Sequence, residues 1–172
     1  MAILPIIEIP DPRLREISTP VETVDADLRT LIDDMFETMY DAPGIGLAAI
    51  QVGVAKRLLV IDLQEEEGKK IPRVFINPEF SEPSEDENVY SEGCLSIPDQ
   101  YADVVRPSSI RAKWLDREGV AHDERIDGLL ATALQHEVDH LDGIVFTDHL
   151  SRMKRDMLLK KLDKMRKQKQ AA

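Results

Sequence analysis

A single cysteine, Cys94, in a chain of 172 residues excludes an internal disulfide and leaves the thiol as core filler, reactive group or metal ligand. No apolar run approaches the length of a membrane helix. Met1 to Ile7 are apolar but have no basic leader and are broken by Pro5 and Glu8, so neither a signal peptide nor a membrane contact is expected, and a cytoplasmic location is. The glycines of 44–53 lack the spacing and the Lys-Ser/Thr ending of a nucleotide loop. Positive charge is scarce outside the tail. The net charge is −11, yet the segment from Ser151 holds nine Lys or Arg against two Asp, so residues 1–150 carry minus eighteen. Such a body repels polyanions and gives no reason to expect DNA binding; a polyanionic partner would meet the tail.

The length and the 42% apolar content suit one soluble globular domain over 1–172. Residues 1–22, punctuated by Pro5, Pro10, Pro12 and Pro20, read as a wrapping arm. Leu28, Leu31, Ile32, Met35, Phe36 and Met39 keep the spacing of an amphipathic helix over 25–40, with Thr23 or Asp25 as cap and 41–44 as its end. Runs at 57–63 and 73–78 predict a hairpin; 104–107 and 109–116 predict further strands, with a turn at 116–119 into another. After Gly143, residues 144–146 read as extended. Leu150, Met153, Met157, Leu158, Leu162 and Met165 mark a basic C-terminal helix over 150–168, whose end from 166 should fray. The class is α+β: antiparallel β-sheets around a central helix, with an N-terminal helix and a C-terminal helix.

The central helix carries the chemistry. His136-Glu137-Val138-Asp139-His140 places two imidazoles one turn apart on one face, able to hold a single ion, with a glutamate between them to work on a water. Asp127 is positioned to cap this helix and Gly143 to stop it, and Leu129, Ala133, His136 and His140 form one stripe. A catalytic ion needs a third protein ligand. No glutamate follows Glu137, the position six residues past His140 is Phe146, His149 lies too far along, and His122 reads as a surface residue in a polar turn. Cys94 remains, a soft thiolate suited to a transition ion, and the three together leave one coordination position open.

Three stretches, Gly44-Ile45-Gly46-Leu47-Ala48-Ala49-Ile50-Gln51, Glu92-Gly93-Cys94-Leu95-Ser96 and Gln135-His136-Glu137-Val138-Asp139-His140, strongly resemble the motifs of the peptide deformylases in order and spacing. The resemblance covers nearly the whole chain, including the final helix of a bacterial subtype. It implies a hydrolase that removes the N-formyl group from the initiator methionine of nascent polypeptides and releases formate. Cys94, His136 and His140 would hold one divalent ion, natively iron(II) in many members, with zinc, nickel or cobalt accommodated. Glu137 would move the water proton to the departing amine. Gln51 and the backbone N–H of Leu95 would stabilise the oxyanion. The Gly44 to Gly46 backbone would bind the peptide, and Ile45, Tyr90, Glu92, Leu129 and Ala133 would surround the methionine side chain, with Glu92 also placed for a polar network. The resemblance further implies a monomer whose basic C-terminal helix docks on the ribosome. Tyr101 departs from the pattern, standing where close relatives often place an arginine, and so removes a charged contact to the substrate beyond methionine.

Overall fold

The computed structural model describes residues 2–171. Helix α1 (Ala26–Asp41) is followed by strands β1 (Gly46–Ala48), β2 (Leu58–Ile61), β3 (Arg73–Ser81), β4 (Glu87–Cys94), β5 (Ile97–Pro107), β6 (Ser109–Leu115) and β7 (Ala121–Asp127), then helices α2 (Gly128–Leu141) and α3 (Arg152–Ala171). Five strands form an antiparallel sheet in the order β1-β2-β3-β6-β7, and β4 and β5 form a separate hairpin. The α+β class and the 57–63/73–78 hairpin stand as expected, with Leu58 opposite Ile76 and Ile61 opposite Arg73.

The sheet is packed on both faces, which explains why β2 is a continuous apolar run rather than an alternating one. Leu58 and Val60 meet Ile32, Met35 and Met39 of α1, while Leu59 and Ile61 meet Ala131, Leu134 and Val138 of α2. Asp25 caps α1 by accepting from the Leu28 N–H at 2.9 Å. Asp127 precedes α2 but makes no such side-chain bond, so that cap expectation fails. At Gly143 the close approach is real: its φ is +74°, and an added Cβ would lie 2.6 Å from the Arg15 carbonyl oxygen. The arm thus packs against the turn that ends α2.

Other details differ from expectation. β5 begins at Ile97, not 104, because the chain reverses directly after Cys94 and pairs Gly93 with Tyr101 and Glu92 with Ala102. Residues 144–146 form no strand; Phe146–His149 is a single 3-10 turn, with Asp148 accepting from the Val145 N–H at 3.0 Å. His122 lies on β7 rather than in a turn, bonded to Asp116 at 2.7 Å. Leu158 and Leu162 dock α3 on Ile97, Val104 and Phe146, whereas Met153 and Met157 are 72% and 54% exposed. The end of α3 does not fray before residue 171, because Arg166 bonds the Ile9 carbonyl at 2.7 Å and Glu8 at 3.1 Å.

Candidate metal centre

Helix α2 is buried along most of its length, so its polar residues must be satisfied internally or by a ligand. It brings His136 and His140 against Cys94, at the end of β4, and one ligand atom from each lies within 4.8 Å of the other two. Cys94 Sγ and His140 Nε2 are 3.3 Å apart. His136 Nδ1 donates to Glu92 Oε1 at 2.9 Å, which leaves Nε2 facing the cluster, 3.8 Å from Glu137 Oε1.

The donor set fits a divalent ion. A thiolate and two imidazoles suit a transition ion and leave a position for water. Glu137 Oε2, on the buried residue next to His136, has no hydrogen-bond partner among the described residues, nor has His140 Nδ1, the ring nitrogen turned away from Cys94. Burial, then the charges of His136 and Arg106, hold the His140 imidazole well below its usual range, so it is neutral and ready to bind. For His136 burial works against the proton, but Cys94, Glu92 and Glu137 outweigh it and raise the imidazole well above its usual range. These residues would hold an ion in place of a proton, the ligands binding it in their deprotonated forms. Burial pushes the Glu137 carboxyl up to about 7, against the pull of the His136 charge.

Gln51 is pinned by the 3-10 turn that follows β1. Its Oε1 accepts from the Ala48 N–H at 2.9 Å, so its Nε2 must face the cluster, donating to Ser96 Oγ at 3.0 Å and reaching Cys94 Sγ at 3.5 Å. Gly46 explains its own identity: an added Cβ would meet Glu137 Oε1 at 2.7 Å. Leu95 follows Cys94 in the β4–β5 turn. Ile45, Tyr90, Glu92, Leu129 and Ala133 line one pocket with His136 and Glu137. Gly44 behaves differently, because its N–H donates to Met39 O at 2.8 Å and its carbonyl accepts from Gln64 at 2.9 Å. β1 is an edge of the five-stranded sheet, so Gly46 lies where another strand can be added, while the carbonyl of Ile45, just before β1, already accepts from the Asp62 N–H at 2.8 Å.

Both oxygens of Glu92 are engaged. Oε1 takes the His136 N–H and Arg106 Nη2 at 2.9 Å, and Oε2 takes Arg106 Nε at 2.8 Å. Burial would raise this carboxyl, but the bonds from His136 and Arg106, with the guanidinium charge, hold it at about 2. Arg106 Nη1 then reaches Asp139 at 2.9 Å. Arg106, Asp139, Ser96 and Thr132, which also lines the pocket, join the site only through the fold. Arg106 had a signal: it shares the inward face of β5 with Val104, and a charge at such a position needs a buried opposite charge.

A Cys-His-His cluster with both histidines buried, beside a glutamate of raised pKa and an amide donor, is the kind of site a metal-dependent amide hydrolase uses. The model of the family described as polypeptide deformylase matches residues 3–156. The peptide deformylase of Rhizorhabdus wittichii is 69% identical with both chains covered in full, and that of Zymomonas mobilis 70% identical over 97% of each. Among solved structures, a peptide deformylase from Legionella pneumophila superposes with a TM-score of 0.91 at 47% identity, covering 99% of each chain. One from Ehrlichia chaffeensis in complex with actinonin superposes at 0.88 and 43%, covering 96% of this chain and 98% of that one. The chain belongs to the polypeptide deformylase family. It is an enzyme that removes the N-formyl group from nascent peptides in a metal-dependent reaction. Among the described residues no helix is long and apolar enough to cross a membrane.

Proposed function

We propose that Cys94, His136 and His140 hold one divalent ion, that Glu137 is the general base and acid, and that Gln51 and the Leu95 N–H stabilise the developing oxyanion. The observation that carries this reading is Glu137, a buried carboxylate with Oε1 3.8 Å from His136 Nε2 and Oε2 unpartnered among the described residues. When bound, the ion polarises the formyl carbonyl and acidifies a water. Glu137 takes the proton of the attacking water. As the C–N bond breaks it delivers that proton to the nitrogen, so formate leaves and the methionine amine is freed. The Gln51 amide and the Leu95 N–H donate to the formyl oxygen as charge gathers on it.

The methionine side chain enters the pocket of Ile45, Tyr90, Leu129 and Ala133, and the peptide backbone adds to the β1 edge through Ile45 and Gly46. Gly44, whose carbonyl accepts only from Gln64 among the described residues and keeps a second lone pair, belongs with Ile45 and Gly46 to the backbone that takes the peptide. Glu92 acts chiefly by orienting His136. Tyr101, 69% exposed on β5, leaves no fixed cation for residues beyond methionine. Iron(II) is the proposed native ion, with zinc, nickel or cobalt able to replace it at a thiolate-imidazole site. Residues 1–172 act as one domain and as a monomer in the cytoplasm, and the basic helix over 150–168 meets ribosomal phosphates. Metal analysis after anaerobic purification tests the assignment: wild type should carry one ion, and Cys94→Ala, His136→Ala and His140→Ala should each lose it. Full metal retention in all three variants would overturn the ligand set.

A further inference from the structure

The Glu92–Arg106 pair that orients His136 does not end at Asp139. Asp139 Oδ2 is shared by two donors, Arg106 Nη1 at 2.9 Å and His149 Nε2 at 2.8 Å. An unbroken run of bonds therefore leads from the partly exposed His149 through Asp139, Arg106 and Glu92 to His136 Nδ1. We infer that His149 is a positioning residue for His136, holding Asp139 so that Arg106 and Glu92 keep the imidazole in one tautomer and one orientation. The inference rests on the proposed role of His136 as a metal ligand.

Three features support a built arrangement over a chance surface contact. The Arg106 side chain is 6% exposed with Nε, Nη1 and Nη2 all engaged, so moving Asp139 leaves a buried donor unsatisfied and shifts the fork that grips Glu92. His149 is itself fixed, because Arg15 pairs with the neighbouring Asp148 and also bonds the Gly143 carbonyl at 3.1 Å. The same short turn sends Phe146 inward, where its ring stacks on His136 with centroids 6.1 Å apart. The 146–149 turn thus braces one imidazole twice, by packing and through the bond network. A ligand histidine whose far nitrogen is held by a carboxylate is oriented and made more basic, so loosening the outermost bond should weaken the grip on the ion.

The test uses full-length, zinc-loaded protein as wild type, His149→Phe, His149→Gln and His136→Ala. Two quantities are followed: the rate of zinc transfer to a chromogenic chelator, and solvent exchange of the His136 Nδ1 proton by NMR. Direct partners of ligand histidines change affinity by about 10–100-fold, so this remoter residue should give release faster by about 3- to 10-fold in His149→Phe, with faster exchange of the proton. His149→Gln places an amide donor where Nε2 stood and should restore both. Unchanged release and exchange in His149→Phe, or a His149→Gln variant as impaired as His149→Phe, would overturn the inference while leaving the metal site intact. Wild type that binds no zinc, or His136→Ala that retains it, would overturn the proposed ligand set and this inference with it.

Discussion

Replacing Arg106 by methionine removes the charge but keeps a long apolar stem in the β5 core. The Arg106 and Glu92 side chains are each 6% exposed, so solvent screens little of their interaction, and three guanidinium bonds of 2.8–2.9 Å to Glu92 and Asp139 would be lost. Breaking one side of such a buried pair costs about 3–5 kcal/mol, because the remaining carboxylate is left unpaired. For a chain of this length that corresponds to a fall in melting temperature of about 6–20 °C. The pH dependence has a definite sign. In wild type the Glu92 carboxyl lies at about 2, below its ordinary 4.5, so its stabilisation is present above the ordinary value and is lost as pH falls toward 2. Without Arg106, only the His136 bond and charge still oppose burial, so this carboxyl rises from its wild-type position, and acidification that neutralises it relieves the variant. The deficit should be largest near neutral pH and smaller at about pH 5. Adding Glu92→Gln should recover much of the loss, since the amide oxygen still accepts from His136. Urea unfolding at fixed free zinc provides the assay. A loss below about 1 kcal/mol, or one identical at both pH values, would refute the claim that the pair is desolvated.

Glu137→Gln should retain the ion yet lower kcat/KM by about 10²–10⁴, as metal analysis and turnover on the same sample can check. Gln51→Ala should cost about 10²–10³ in kcat, and an unchanged kcat would remove it from charge stabilisation. Because burial places the Glu137 carboxyl at about 7 and only its unprotonated form is a base, kcat/KM should rise with pH through the acid limb, with the ion shifting that limb lower; a rate falling between about pH 5 and pH 7 contradicts this. Gly46→Ala forces a Cβ to 2.7 Å from Glu137 Oε1, so activity should drop far more than the melting temperature. Truncation after Ser151 should weaken ribosome binding in a salt-dependent way, and salt-insensitive binding would exclude phosphate contacts.

The residues of the metal cluster were legible because each signal is local or chemically exclusive: two histidines at helical spacing, a glutamate between them, and one cysteine in the whole chain. The apolar runs of β2 and β3 and the period of α1 were legible for the same reason, since burial writes its own periodicity. Other features depend on partners distant in sequence. Arg106 looks ordinary until β5 pairs with β4 and α2 closes over both. Met153 and Met157 fit the helical period of α3 but stay exposed, whereas Leu158 and Leu162, with Leu159 and Met165 beside them, pack on the hairpin cluster, because a 20-residue helix docks on a strand pair that covers only part of its length. The final turn of α3 looked free to fray, yet the arm that returns beneath it offers Arg166 the Ile9 carbonyl. Residues 144–146 are apolar enough to suggest an extended segment, yet they lead into the 3-10 turn at 146–149, held in place by Arg15, 128 residues before Gly143.

Glu137, beside an ion held by Cys94, His136 and His140, should drive hydrolysis of a formamide at a methionine amino terminus. Formate and free amine released from a formyl-Met tripeptide, measured on metal-replete wild type and on Glu137→Gln, test it most directly. Equal amounts of formate and new amine from wild type, with both formed about 10²–10⁴ times more slowly by the variant at equal metal content, are predicted. Formate release by Glu137→Gln at the wild-type rate would contradict the account.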